Sequence, residues 1–355
     1  MGMIQGRGYF LPSPGQRLEL QEFSLPDPGP SDVIIEVAGC GVCHTDIGFA
    51  KDAVATRHAL PLILGHEISG RVIATGERAA QWMNQQVIVP AVIPCGDCPA
   101  CRAGRSTICR KQYMPGNDGD GGFATHVRVP AYGLCPLPDR LPAGLTAAHL
   151  SVVADAITTP YEAIRRSGLG PDNVAVFVGV GGVGGFGVQI AAALGAAVVA
   201  IDVDQERLDL LAQHGAALTL NAAQADLKSA VRAFAKQSGR TGIGTKIFET
   251  SGTTAGQQTA FSLLDHGGYL AVIGFTPQKI ELRLSNLMAF DATARGNWGC
   301  PPEQYPPALA LVLEGRVQLT PFVELHPLAE TPEVFEAVAA RAIRKRIILT
   351  TALTN

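Results

Sequence analysis

The chain has no block of lysine or arginine and a formal net charge of -3, so it lacks the electrostatic footprint of a nucleic-acid binder. Its first residues, MGMIQGRGYFLPSPG, lack the charged start, apolar run and small-residue cleavage site of a secretory signal, and we expect a cytoplasmic protein. Charged residues make up only 17% of the chain and hydrophobic residues 47%, a composition too apolar for extended disorder and sufficient for large buried sheets. One stretch, 174–201, is long and apolar enough to suggest a membrane span, but it contains seven glycines. It reads instead as a buried strand, a glycine-rich turn, a helix and a second buried strand, because parallel strands covered on both faces lose polar alternation. No membrane partner is expected.

A length of 355 residues exceeds one ordinary core, so two domains of unequal size are expected. The first 150 residues are rich in Pro, Gly and short β-branched runs such as VIIEV, ISGRVIA and QVIVPAV, which predicts an irregular, mainly β domain. From residue 154 the texture changes to alternating buried strands and helices, with further strands at TKIFET and YLAVIGF, which predicts βαβ units of a parallel sheet. The tail is mixed, with a helix near PPALALVLEGRV and a terminal RIILTT strand, and we expect it to return to the first domain. The expected division is 1–153 with 296–355, and 154–295.

Eight cysteines in a chain expected to stay in a reducing compartment point to metal before disulfide. Cys95, Cys98, Cys101 and Cys109 form C-x2-C-x2-C-x7-C within the loop PCGDCPACRAGRSTIC. Four thiolates this close can wrap one tetrahedral zinc ion, leaving no corner open, so the site holds a loop and catalyses nothing. Iron-sulfur ladders of similar spacing exist, but the chain shows no other electron-transfer feature.

A second set lies apart from that loop: Cys43 in GCGVCHTD and the pair His66-Glu67 in LGHEISG. A catalytic zinc takes three protein ligands and leaves the fourth corner for substrate, where it polarises an oxygen. The order GxGxCHTD, GHE, the cysteine ladder and then GxGGVG resembles the zinc-containing medium-chain alcohol dehydrogenases over nearly the whole chain. That resemblance implies an α/β protein, with a Rossmann-type nucleotide domain beside a mainly β, GroES-like catalytic domain. It implies two zinc ions per chain, NAD, and a small-molecule alcohol substrate. The third catalytic ligand of the family lies just before the nucleotide domain, a position held by Asp155 in ADAITTPY. A thiolate, a neutral imidazole and a carboxylate together cancel the charge of Zn2+. By the same resemblance Glu67 stands beside the metal and Asp46 orients the His66 ring, although either could be a cap or a surface charge. Thr45 falls at the family's first proton-accepting hydroxyl, and His44 where relatives carry a basic group on the cofactor phosphates. Many relatives continue the proton path through a histidine three residues further on, where this chain has Gly48.

Gly179, Gly181 and Gly184, with Gly182 and Val183 between them, follow the strand VAVFV and open a helix. Glycines there permit a tight turn and close approach of backbone to pyrophosphate at a helix N-terminus. Asp202 ends the next strand, VVAID, where a carboxylate accepts the ribose hydroxyls of NAD and repels the extra phosphate of NADP. Arg207 is expected near the adenosine. Arg346 matches a family position that reaches the cofactor phosphates, with a solvated charge as the alternative.

Further segments, among them HALPLILGHEISGRV, VIVPAVIPCG, MPGND, GGFATH and GLCP, resemble the branch of the family that acts on ring alcohols carried as CoA thioesters. That implies a CoA-thioester substrate, with Arg57 and His58 as candidate contacts for its phosphates. The alternatives are an ordinary secondary-alcohol or polyol dehydrogenase, and a zinc-stabilised nucleotide-binding protein without turnover. A homodimer or homotetramer is the expected assembly.

Overall fold

A computed structural model describes residues 3–52 and 54–351. They form two compact units: residues up to 158 with 299–309 and 319 onward, and residues 159–298 with 310–318. The crossings thus lie a few residues beyond those expected at 154 and 295. The segment 310–318, expected with the tail, packs with the second unit. It is held there by side chains: Gln189 accepts from the Gln318 N–H at 2.8 Å and donates to its carbonyl at 3.3 Å, and Arg316 donates to the Ala193 carbonyl.

In the first unit, strands Val323–Pro327, Arg346–Thr350, Asp32–Gly41, Glu67–Thr75, Gln86–Val89 and Cys135–Pro136 lie side by side in that order, and His126–Pro130 also pairs with Asp32–Gly41. A smaller sheet joins Glu19–Leu25, Ile4–Leu11 and Leu62–Ile63. Ile35, Val37, Ile68, Val72, Phe123 and Leu349 are among the side chains of the common core. The pairing of Asp32–Gly41 with Glu67–Thr75 is antiparallel and sets Gly41 opposite Glu67, with register shifts between Ile34 and Ile35 and between Val37 and Gly39. On the other side Gly41 faces Ile348. Three strand ends therefore converge at Gly41: the chain leading into Cys43, the chain leaving His66, and the start of the strand that opens with Arg346.

The second unit has a six-stranded sheet in the order Leu218–Asn221, Ala197–Asp202, Val174–Val178, Lys246–Glu249, Tyr269–Val272 and Thr293–Gly296, with every pairing parallel. All residues of Val174–Val178 are buried, which is why that segment shows no alternation. Phe177 stacks on Phe248 of the adjoining strand with ring centroids 4.6 Å apart. Chain order reverses at Val174–Val178, and the glycine turn leaves its carboxyl end, where doubly wound sheets bind ligands. The expected α/β architecture, a Rossmann-type sheet with a mainly β GroES-like partner, is the one observed. Among the described residues no helix is long and apolar enough to cross a membrane.

Candidate active site

The sequence Cys43-His-Thr-Asp46 starts a helix, His44–Lys51, as a capping box in which Cys43 is the cap and the Asp46 carboxylate takes the Cys43 N–H at 2.9 Å. This turn aims the Cys43 thiol inward. The other oxygen of Asp46 lies 3.2 Å from both the Gly65 N–H and Nδ1 of His66. Asp46 is fully buried, so the surface-charge alternative does not hold, and its bond to Nδ1 leaves Nε2 as the lone-pair nitrogen. Nε2 lies 3.6 Å from the Asp155 carboxylate, whose Oδ2 is 3.9 Å from the Cys43 sulfur. Ligand atoms of Cys43, His66, Glu67 and Asp155 all lie within 4.8 Å of one another. A tetrahedral zinc with such donors has edges of about 3.4–3.6 Å, so the set fits with movements of a few tenths of an ångström. Burial alone would pull the His66 imidazole down, but Asp46, Asp155 and Cys43 hold it well above its usual value.

Glu67 is buried and accepts the Ala156 N–H at 3.1 Å. Burial pushes its carboxyl up and the Arg346 guanidinium pulls it back. Arg346 donates from Nε to Glu67 at 2.8 Å and from Nη2 to the other carboxylate oxygen. Only 5% of the Arg346 side chain is exposed, so the solvated-charge alternative does not hold. Two of its donors meet Glu67, because the strand it opens lies beside Gly41. No side chain fits at Gly41, where a Cβ would stand 2.0 Å from the Glu67 carboxylate. Sequence reading missed this role of Gly41, which only the strand register reveals.

Thr45 is half-buried with its hydroxyl 3.7 Å from the Cys43 sulfur, and His44 is exposed. Gly48 is buried, against Val54. Arg57 turns its guanidinium to Asp118 at 3.2 Å, and His58 is exposed with Nδ1 beside the Ala59 carbonyl.

The four-cysteine loop brings its sulfurs to 3.5 Å for Cys98–Cys101 and Cys95–Cys109, 3.7 Å for Cys98–Cys109 and 4.0 Å for Cys95–Cys101. A zinc tetrathiolate has edges of about 3.8 Å, so the donor set fits the ion. Backbone amides of Asp97 and Cys98 hold the Cys95 thiol down to about 6, as the wrapping of a thiolate by a tight turn requires.

In the nucleotide unit Gly179 has φ +85°, and a Cβ there would stand 2.4 Å from the Ser251 backbone; one on Gly184 would stand 2.0 Å from the Gly179 carbonyl. The space at Gly181 is open apart from the Arg207 guanidinium, 3.9 Å from where a Cβ would lie. Gly182 and Val183 are half-buried, and Val183 caps the helix Gly184–Ala193. Asp202 accepts the Val180 N–H at 2.7 Å and those of Val203 and Asp204 at 2.8 and 3.0 Å, which ties the end of its strand to the glycine turn. Thr250, which the sequence did not single out, donates to the Val178 carbonyl at 3.3 Å and to that of Gly179. Its signal was present in TKIFET, a strand whose last residue meets the turn.

Two family models match the chain, the alcohol dehydrogenase GroES-like domain over residues 29–139 and the zinc-binding dehydrogenase domain over residues 182–314. An alcohol dehydrogenase of Geobacillus stearothermophilus is 30% identical over 335 residues, covering 94% of this chain and 95% of that protein. An L-threonine 3-dehydrogenase of Streptomyces avermitilis is 31% identical over 315 residues, covering 86% and 88%. The crystal structure of galactitol-1-phosphate dehydrogenase from Escherichia coli superposes with a TM-score of 0.87 at 23% identity, covering 97% and 99%, which shows the shared fold. The chain belongs to the zinc-dependent medium-chain alcohol dehydrogenase family. It is an NAD-dependent alcohol dehydrogenase with zinc as its metal.

Proposed function

We propose that the chain oxidises a cyclic secondary alcohol carried as a CoA thioester, converting 6-hydroxycyclohex-1-ene-1-carbonyl-CoA to 6-oxocyclohex-1-ene-1-carbonyl-CoA in the cytoplasm, as in anaerobic benzoyl-CoA breakdown. The chemistry rests on one observation, the convergence of Cys43, His66 and Asp155 into a buried anionic set. The ring-alcohol reading rests on the resemblance of the segments around that set. Cys43, His66 and Asp155 would hold zinc, which when bound would supply the Lewis acid for the alcohol oxygen. Asp46 fixes the His66 tautomer, and the Arg346–Glu67 pair holds the strand ends in place. With NAD bound as hydride acceptor, the Thr45 hydroxyl, beside Cys43, would accept the alcohol proton, for a net yield of ketone, NADH and one proton. Gly48 offers no side chain for the next transfer, so from Thr45 the proton passes to the cofactor ribose, to water or to another side chain. Asp202 at its strand end favours the unphosphorylated ribose of NAD.

A substrate panel read by NADH absorbance, run with metal analysis, tests this. Turnover of the cyclic CoA alcohol with two zinc ions per chain is expected. Activity restricted to free alcohols or polyols replaces the substrate reading, and NAD binding without turnover removes the enzymatic one. The same metal invites reversible water addition to the enoyl thioester; an unchanged oxo compound after incubation without cofactor removes that secondary activity. We also propose a homodimer. Strand Thr293–Gly296 ends the parallel sheet with all four residues exposed, and Leu284 and Met288 nearby in sequence are 68% and 77% exposed. An uncovered edge of this kind pairs with its own copy about a two-fold axis. Sedimentation should give a dimer, and a monomer for Ala294→Pro.

A further inference from the structure

Asp155 sits at φ -141°, ψ -56°, outside the common backbone regions, at the end of the turn His149–Ala154. The peptide planes on both sides of Asp155 are held by hydrogen bonds. The plane after Asp155 is fixed by Glu67, which accepts the Ala156 N–H at 3.1 Å. The plane before it is fixed by the Ala154 carbonyl, which accepts two hydroxyls: Thr158 at 3.1 Å, from the following helix, and Tyr305 at 2.6 Å, from 151 residues further along the chain. Tyr305 is almost fully buried, and its oxygen also accepts the Ala91 N–H at 3.1 Å. The hydroxyl is thus held from one side by the segment after strand Gln86–Val89 and fixes the ligand turn from the other.

We propose that Tyr305 is a positioning residue for the carboxylate of Asp155, acting through the Ala154 carbonyl. The inference rests on the reading of Asp155 as the third catalytic ligand. A carboxylate carried on one methylene has little reach of its own, so the direction in which it presents an oxygen toward His66 Nε2 and the Cys43 sulfur follows from the orientation of the two flanking peptides. Removing the hydroxyl frees one of them. Among the described residues the Tyr305 hydroxyl bonds the Ala154 carbonyl and the Ala91 N–H and none of the four cysteines, so the consequence is expected at this metal.

The test is Tyr305→Phe in the zinc-loaded enzyme, with Asp155→Asn as the control on the underlying reading. Zinc release to a colorimetric chelator is followed alongside zinc per chain and kcat. We expect Tyr305→Phe to release one of its two zinc ions about tenfold faster than the parent, as for other groups that orient metal ligands, with release of the second unchanged and kcat reduced. Should the phenylalanine variant fail to fold, Thr158→Val removes the other donor to the same carbonyl and is expected to speed release of the same ion. Asp155→Asn should purify with one zinc; if it keeps two with parental release rates, the ligand reading fails whatever Tyr305→Phe does. If Asp155→Asn loses an ion while Tyr305→Phe matches the parent in release and kcat, the positioning role is overturned. Equal acceleration of both ions would also overturn it, as general loosening.

Discussion

Replacing Arg346 with methionine probes the pair that holds the three strand ends together. Glu67 is 0% and Arg346 5% exposed at the side chain, and the guanidinium reaches both carboxylate oxygens. Deleting the cation strands a carboxylate that water cannot reach. Breaking a buried pair from one side costs about 3–5 kcal/mol, a large share of the roughly 5–15 kcal/mol that keeps a domain folded. Changing Glu67 to glutamine at the same time removes the stranded charge, and the amide oxygen can still accept the Ala156 N–H. The double variant is therefore expected to be about 2 kcal/mol more stable than Arg346→Met alone, so the effects of the two single changes should be far from additive. Urea unfolding of the zinc-loaded protein measures this. The chain has two tryptophans, and a Trp298→Phe background leaves Trp82, in the same unit as the pair, as the reporter. Strict additivity of the two single changes, or a cost below about 1 kcal/mol for Arg346→Met, would refute the argument.

Other outcomes follow from the remaining geometry. Asp202→Ala should raise use of NADP relative to NAD by about tenfold or more, roughly 1.4 kcal/mol for one repulsive charge, read as the ratio of kcat/KM values. Gly179→Ala must place a methyl group on the Ser251 backbone at a positive φ, so the Kd for NADH, followed by fluorescence, should rise by at least about tenfold. Cys98→Ser should purify with one zinc fewer and melt at a lower temperature while the other metal stays in place. In metal-free protein Cys95, held down to about 6, should alkylate well ahead of Cys101, which burial and its cysteine neighbours push up to about 12. The folded-state value of Cys95 is depressed, so its thiolate is present above pH 6 and lost below it; peptide mass mapping should show its alkylation slow by about tenfold from pH 7.5 to pH 5, while Cys101 stays far slower at both.

What the sequence made legible was local. A C-x2-C-x2-C ladder carries its own geometry because a few residues of turn suffice to gather the sulfurs, and GxGxxG is informative because strand, turn and helix are contiguous. Cys43, Asp46 and His66 could be linked through motif order, and a capping box already ties the first two. The Arg346–Glu67 pair joins residues 279 apart, and no periodicity marks Arg346 as anything but a charge in a basic run. Its burial follows from strand order, which a single sequence does not display. The return of 310–318 to the nucleotide unit was hidden for the same reason: it hangs on Gln189, one amide within an otherwise apolar helix.

The register shifts in Asp32–Gly41 have a consequence for anyone altering this protein. That strand delivers a thiol to a fixed spot by counting residues from its last irregularity, and side chains alternate between faces at every step. Deleting one residue between Val37 and Gly41 turns Cys43 away from His66 and shifts Cys40 and Val42 out of their places in the core. Such a variant is expected to lose both its metal and part of its stability. Strand length here is a catalytic parameter as surely as the identity of any ligand.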